Sequence, residues 1–214
     1  MTYLEIVNNV LKRLREREVS TVNENAYSAL IGILVNDAKT EIQHAWSWSA
    51  DRTTLTAATT ANLYSYSLTG AASNFQMLHV FNDTDNWFLE QMDSKELTGK
   101  MLDNPQTGSP MYYSYNGVDT NGDTMVDLYP IPDAAYNIRF NLVKRAADFS
   151  ADADEIYLPD LPIIMLTYAK AIEERGEDAG VASSSAYAIA QKHLSDYISL
   201  DAAKHPEELE WYTA

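Results

Sequence analysis

The chain has 214 residues, of which 46% are hydrophobic and 21% charged, a composition that is ordinary for a globular protein of one large or two small domains. It contains 15 lysines and arginines and 31 aspartates and glutamates, so its formal net charge is −16 at pH 7. This charge disfavours nucleic-acid binding by the whole surface, because phosphate affinity depends on clustered basic side chains. The absence of cysteine excludes disulfides and thiolate sites.

The sequence shows no signal for export or for a membrane span. Residues 1–5 do not form a basic leader ahead of an apolar core, as a secretory signal requires. No apolar run approaches the roughly 18 residues that a transmembrane helix needs. We therefore expect a soluble protein that is not exported and has no membrane partner.

The first 46 residues predict two amphipathic helices. Apolar residues with helical spacing define the first, of about four turns: Leu4, Val7, Val10, Leu11 and Leu14. The basic residues at its C-terminal end suit the negative end of the helix dipole, an interpretation that we favour over phosphate binding. Thr21 and Glu24 have the spacing of a capping box, which predicts that a second helix begins there and extends to Trp46.

From about residue 47 to residue 144 the hydrophobic period changes from 3.6 to 2, which predicts β-strands. The clearest strands are residues 63–68, 75–81, 111–115, 125–129 and 136–143. Asn-Gly and Asp-Asn pairs supply turn residues between them, and a short helix is expected near residues 93–102. Five to seven short strands of this kind predict a small antiparallel sandwich or barrel.

Two further helices are predicted in the last part of the chain. Asp160 can cap the first of them, with Pro162 in the first turn, where no backbone donor is required. A polar turn with glycines at residues 173–180 separates it from a last helix, expected over residues 181–203. Pro206 ends that helix.

Helices at both chain ends and strands in the middle predict an α+β fold. Because an amphipathic helix must bury its apolar face, we expect the two ends to pack together. Residues 1–46 with 156–203 would form a helical bundle, and residues 47–155 an inserted antiparallel β-sandwich or barrel-like domain. Residues 204–214 would form an extended C-terminal tail.

Five motifs resemble, in their order and spacing, the head-to-tail adaptor family of tailed, chiefly short-tailed, bacteriophages, also called connectors or tail tubular protein A. They are the Trp46 and Trp48 pair, a strand that ends near Leu68, Gly-Ser-Pro-Met-Tyr-Tyr at 108–113, Leu-Tyr-Pro-Ile-Pro at 128–132, and the helix start at Leu158 and Pro159. Each motif alone occurs widely, so the resemblance depends on their arrangement from Leu4 to about Tyr197.

The resemblance implies a non-enzymatic structural protein of the virion neck or tail, assembled in the host cytoplasm, without a cofactor or metal. Members of the family form a ring, usually of twelve copies, beneath the portal protein. The ring extends the channel, through which double-stranded DNA passes without specific binding. It also provides a platform for the downstream tail component, a nozzle or tail tube. Helices from both chain ends typically form the portal-proximal bundle.

The resemblance also implies that the C-terminal segment docks on the portal. In this chain the candidates for that contact are Leu209, Trp211 and Tyr212, since large aromatic side chains are frequent interface anchors. The alternative is that the tail folds back onto its own bundle.

A second class of function is a monomeric β-sandwich that binds a carbohydrate or a receptor. It would use a row of exposed tyrosines: Tyr64, Tyr66, Tyr112, Tyr113 and Tyr115. Tyrosines on one face are, however, also what a packed sheet needs.

Enzymatic and metal-binding functions have weaker support. A hydrolase would depend on carboxylates such as Asp152 and Asp154, but residues 148–155 are typical of a solvated loop. Asp119, Asn121 and Asp123 match the first ligand positions of an EF-hand loop. Positions 6 and 12 of such a loop require glycine and glutamate, and here they are Thr124 and Pro130. The four histidines, His44, His79, His193 and His205, lack the spacing of metal ligands.

Overall fold

The computed structural model describes residues 1–176 and 181–205 of the chain. Within these residues it contains five α-helices and seven β-strands, which confirms an α+β fold. The helices are α1 (Tyr3–Arg13), α2 (Ala26–Ala45), α3 (Ser94–Asp103), α4 (Asp160–Arg175) and α5 (Val181–Ala202). The strands are β1 (Arg52–Ala58), β2 (Ser65–Ser67), β3 (Phe75–Asn82), β4 (Trp87–Gln91), β5 (Tyr112–Val118), β6 (Thr124–Tyr129) and β7 (Asn137–Lys144). Among the described helices, none has the length and apolar character that crossing a membrane requires.

The chain divides into two compact units. The first comprises Met1–Ala50 and Ala146–Ala214 and carries α1, α2, α4 and α5. The second comprises Asp51–Arg145 and carries α3 and the strands. In the first unit α4 packs on α1, α2 and α5, and α1 packs on α2. All four helices contribute buried apolar side chains to its core, among them Ile6, Val10, Ile31, Val35, Ile163, Leu166, Ala190 and Leu194.

Thr2 and Glu5 determine where α1 begins. The backbone N–H of Thr2 donates to Glu5 Oε2 at 2.9 Å, and the N–H of Glu5 donates to Thr2 Oγ1 at 3.3 Å. These two bonds form a capping box. The helix has about three turns rather than the expected four, because Leu14 is its C-cap and Arg15 adopts a left-handed φ of 60°.

The predicted capping box of α2 is wrong. Asn25, not Thr21, is the N-cap, and its Oδ1 accepts the N–H of Ser28 at 2.8 Å. Glu24 Oε2 instead accepts the backbone N–H and the hydroxyl of Ser20, at 2.6 and 2.8 Å. Because the backbone of Asn25 is extended (φ −147°, ψ 166°), the helix can begin only after it.

The start of α4 also differs from the prediction. Pro159 is the N-cap and makes no side-chain hydrogen bond, and Asp160 is the first helical residue. There its negative charge suits the positive end of the helix dipole. Gly176, in the left-handed conformation at φ 63°, ends α4. Residues 173–175, predicted to lie in a turn, are therefore still helical. Residues 177–180 lie outside the described part of the chain, and α5 confirms the predicted last helix to within one residue.

The second unit contains one seven-stranded sheet in the order β1-β7-β3-β4-β5-β6-β2. Five of the strands confirm those predicted from the sequence, whereas β1 and β4 were not predicted. Helix α3 confirms the predicted short helix, and the Asp93 carboxylate caps it. The core of this unit includes Leu68, Val80, Leu89, Val126, Leu128, Ile138, Phe140 and Leu142.

The expectation of a purely antiparallel sandwich or barrel is corrected by one pairing. β4 and β5 run parallel, with Glu90 opposite Tyr112 and Gln91 opposite Tyr113, so the sheet is mixed. Parallel neighbours require a crossover of about a dozen residues or more, usually with a helix. The connection between β4 and β5, which contains α3, provides it.

Candidate partner-binding groove

A groove with a volume of about 640 Å³ lies in the first unit. Trp48 and Leu158, which are 2% and 6% exposed, lie deep in its wall. Tyr157 and Leu200 line it with exposed side chains, at 76% and 66%. Large apolar side chains that are exposed beside a groove are typical of a partner-binding site.

Besides Met1, three separate segments of the chain line this groove. The first follows α2, where the indole Nε1–H of Trp48 donates to the carbonyl oxygen of Ile42 at 2.8 Å and fixes the ring. The second is the approach to α4, anchored by the N–H of Ile156, which donates to the carbonyl oxygen of Met1 at 3.0 Å. The third is the C-terminal part of α5 with the two residues that follow it, from Tyr197 to Lys204. The groove is therefore built by residues about 150 positions apart in the sequence.

Asp201, at the end of the groove, links α5 to the segment after α2. Its Oδ2 accepts the N–H of Ser49 at 2.9 Å and the indole Nε1–H of Trp46 at 3.2 Å, and its Oδ1 accepts the Lys204 ammonium at 2.9 Å. His205 lies within hydrogen-bond distance (3.0 Å) of the Ser49 hydroxyl. Burial raises the pKa of Asp201, but the hydrogen bonds from Ser49 and Lys204 outweigh it and hold the pKa below its ordinary value.

Replacing Asp201 with asparagine is expected to lower the free energy of unfolding by about 1–2 kcal/mol at pH 7, because a hydrogen-bonded carboxylate is lost from a site that is 6% exposed. A folded-state pKa below the unfolded value of about 4 means that this contribution is complete above pH 4 and disappears as the pH falls further. Urea unfolding at pH 7, 5 and 3.5 should show a stability difference between the wild type and Asp201→Asn that is similar at pH 7 and 5 and smaller at pH 3.5. A constant difference at all three values would contradict the assignment.

The three residues predicted to dock on a partner, Leu209, Trp211 and Tyr212, lie outside the described residues. The described chain ends at His205, one residue after Lys204, which lines the groove. The groove itself was not predicted from the sequence. The available signal was two large apolar residues, Tyr157 just before one predicted helix and Leu200 near the end of another, which a local pattern does not distinguish from core positions.

The loop that resembles a calcium site is held by its own carboxylates. Asp119 accepts the Ser67 hydroxyl at 2.7 Å and the backbone N–H groups of Asn121 and Asp123 at 2.8 and 3.0 Å. The Ser67 hydroxyl, followed by these N–H groups, lowers the pKa of Asp119. Asp123 in turn accepts the N–H of Ala72 at 2.9 Å. In the described residues no three histidine or carboxylate side chains are grouped as a metal site.

The carboxylates considered for hydrolysis lie in a mostly exposed loop, as expected, and two of them have structural partners. Asp152 Oδ1 accepts the N–H of Val22 at 3.1 Å, and Asp154 Oδ2 accepts the N–H groups of Ala151 and Ser150 at 2.8 and 2.7 Å. Those two N–H groups, Ala151 first, lower the pKa of Asp154. The backbone carbonyls of Asp152 and Asp154 also accept N–H groups from the first turn of α1.

The tyrosines considered for ligand stacking do not form an exposed row. Tyr113 is 5% exposed and packs edge-to-face on Tyr115, with ring centroids 6.0 Å apart. Burial, followed by the proximity of Tyr113, raises the pKa of Tyr115 to about 12. The Tyr66 hydroxyl donates to the carbonyl oxygen of Leu63 at 2.7 Å. Tyr66, Tyr113 and Tyr115 are thus engaged in packing and in loop closure, whereas Tyr64 is 41% exposed.

Comparison with known proteins gives a match that covers both units. A family model described as SU10 adaptor protein matches residues 1–208 of the 214-residue chain. The matched region includes the groove and begins with α1. No curated protein sequence matches the chain.

Proposed function

Because the chain belongs to the SU10 adaptor protein family, a family of phage adaptor proteins, we propose that it forms a ring beneath the portal of a virion, extends the DNA channel and supports the next tail component. Membership confirms the resemblance to phage head-to-tail adaptors and a structural role in the virion. The observation that carries the proposal is the extent of the match, residues 1–208.

We assign a different binding partner to the helical part and to the β-rich part of the chain. The helical parts, residues 1–46 and 156–203, form a bundle that contacts the portal, and the β-rich part, residues 47–155, contacts the nozzle or tail tube. A ring of twelve copies in the neck, assembled in the host cytoplasm, is the form that the family resemblance favours. No catalytic step is part of this function.

The charge of the chain supports a channel role. Each copy has a net charge of −16, so a ring of such copies repels DNA phosphates unless basic residues are concentrated in the lumen. Like charge lets double-stranded DNA slide past without being held. A ring structure with a strongly basic lumen would contradict this part of the proposal.

The portal contact is proposed to depend on the tail, residues 204–214, with Trp211 and Tyr212 as anchors and Leu209 in support. Replacing Trp211 with alanine is expected to weaken binding to the portal about 30-fold, which corresponds to the roughly 2 kcal/mol that marks a hot spot. The conservative control is Thr213→Ala, which changes a small neighbouring side chain of the same segment. Titration of labelled protein onto purified portal rings measures both affinities.

The ring itself is tested by mixing the wild-type protein with its portal and examining the product by mass photometry and negative-stain electron microscopy. We expect a stoichiometric ring on each portal, lost when residues 206–214 are deleted. That deletion leaves His205 and its contact with Ser49 in place. A wild-type protein that stays monomeric beside the portal would refute the adaptor ring, and a ring that forms equally well without the tail would refute only the anchor.

A further inference from the structure

The groove of the first unit lies next to the point from which the tail departs. Lys204 lines the groove, and the following residue, His205, is held beside Ser49. The tail, residues 204–214, therefore begins at the groove. Nine residues of the chain follow His205.

The length of this segment is sufficient to fill the groove from within the same chain. An extended chain advances about 3.3 Å per residue, so Leu209 can reach about 13 Å from His205 and Trp211 about 20 Å. A volume of about 640 Å³ falls within the range of about 300–1,000 Å³ that is typical of binding pockets. The groove thus has space for large side chains, and the tail can place two of them there.

The composition of the tail matches the lining of the groove. Were the tail to bind in an extended form, alternate side chains would share a face, with Leu209 and Trp211 on one side and Glu208 and Glu210 on the other. The apolar side could then contact the exposed Tyr157 and Leu200 side chains, and the glutamates would face solvent.

The charged side chains that line the groove are Asp160, Asp201 and Lys204, so an acidic segment must be held mainly by its apolar contacts. The carboxylate of Asp201 is already neutralised by Lys204 and hydrogen-bonded by Ser49 and Trp46. The Lys204 side chain is 63% exposed, so its ammonium can also face a glutamate of the tail. Covalent attachment raises the effective concentration of the tail at its own groove to the millimolar range, so a contact that is weak between separate molecules is populated within one chain.

We propose that the groove is the resting site of this chain's own segment 207–212 in the protein free of portal, with Leu209 and Trp211 against Tyr157 and Leu200. Docking on the portal then withdraws the segment from the groove. This second step rests on the proposed function, whereas occupation of the groove does not. The groove and the portal then compete for the same tail residues, Leu209 and Trp211. Binding of the tail to the portal must therefore be tighter than its binding to the groove.

The absence of cysteine allows a direct test with the full-length protein. An Ala50→Cys, Thr213→Cys pair places one thiol at the groove without removing Tyr157 and one near the chain end, and a disulfide requires the two Cα atoms to come within about 7 Å. The matched control is Ile33→Cys with Thr213→Cys, since Ile33 is also an exposed apolar residue of the first unit, at 59%. We expect the groove pair to form an intramolecular disulfide about tenfold faster than the control pair, in line with its higher effective concentration.

A second variant separates groove binding from random encounter of the thiols. Adding Leu200→Glu to the groove pair is expected to remove the rate advantage, whereas Ile189→Glu, at a 45% exposed position of the same helix, should leave it unchanged. Circular dichroism establishes that both variants remain folded. Equal rates for the groove and control pairs would overturn the proposal, and so would disulfide-linked dimers, because they would place the tail of a second copy in the groove.

The last experiment repeats the measurement of disulfide formation with the portal present. We expect it to slow disulfide formation by the groove pair in proportion to the fraction of protein bound. If the portal binds without slowing the reaction, the release step is wrong although the groove is occupied. If the portal does not bind at all, the proposed function fails while the result for the free protein stands.

Discussion

Replacing Lys39 with methionine is expected to lower the free energy of unfolding by about 3 kcal/mol, because carbonyl groups lose their partner in a buried site. Lys39 lies in α2 and is only 2% exposed. Its ammonium donates to the carbonyl oxygen of Ala146 at 3.2 Å and to that of Ala147, and it lies 4.6 Å from the centre of the Phe149 ring. The chain returns from the second unit to the first at Ala146, so Lys39 binds the chain at the residue where it re-enters the first unit.

Urea unfolding followed by tryptophan fluorescence measures this effect. Methionine keeps the unbranched stem of lysine, so the loss reports the ammonium rather than a large cavity. The control is Lys170→Met, which removes an ion pair with Glu41 at 3.0 Å that is partly exposed and worth about 1 kcal/mol at most. Equal stability losses for the two variants would show that the contacts of Lys39 with the returning chain contribute little.

Replacing Gly32 with alanine is expected to destabilise the first unit by about 2 kcal/mol, although alanine is the better helix former. A Cβ at position 32 would lie 2.7 Å from Val22 Cγ1 and would overlap the Tyr3 hydroxyl. Neither neighbour can move freely. Val22 is 2% exposed, and the Tyr3 ring stacks on Phe149 with centroids 5.2 Å apart.

Gly99 provides the matched substitution in α3. A Cβ at that position meets nothing within 4 Å, so Gly99→Ala should gain the helix propensity of alanine, about 1 kcal/mol, without a steric cost. Thermal and urea unfolding of the two variants should therefore change in opposite directions. A Gly32→Ala protein that is as stable as the wild type would mean that Tyr3 and Val22 shift at low cost.

The two stability predictions concern the first unit, which also carries the groove and the start of the tail. Lys39 and Gly32 both act on the packing around Phe149, at some distance in sequence from Trp48 and Leu200. A variant such as Lys39→Met is therefore expected to lower stability without changing the rate advantage of the thiols at positions 50 and 213, provided that the protein is measured while folded.

Much of the secondary structure followed from the period of the apolar residues. The helical stripes predicted α1, α2, α4 and α5, a short helix was expected where α3 lies, and alternation predicted β2, β3, β5, β6 and β7. The prediction failed where local sequences compete. Thr21 with Glu24 and Asn25 with Ser28 are both acceptable caps, and the choice depended on the bond from Ser20 to Glu24. The parallel pairing of β4 and β5 was missed because it depends on the path of the connection through α3.

The candidate site was accessible to sequence reasoning only in part. The tail residues Leu209, Trp211 and Tyr212 were selected because they follow the last helix without a core to join, and their role stays a prediction. The groove was not selected, since Trp48, Leu158 and Leu200 each fit an ordinary position in a local pattern. Nothing in the sequence near Lys39 indicated that it would be buried against Ala146.

The sequence by itself determined the α+β class, the positions of most helices and strands, and membership of the phage adaptor family, because each depends on the order and spacing of residues along the chain. The tertiary structure decided the caps of α2 and α4, the mixed sheet, the burial of Lys39 and the existence of the groove. These features depend on which distant segments meet: Lys39 bonds to a residue 107 positions away, and Ser49 to one 152 positions away. A local pattern predicts which residues are buried or hydrogen-bonded. The tertiary structure determines which residue each of them contacts.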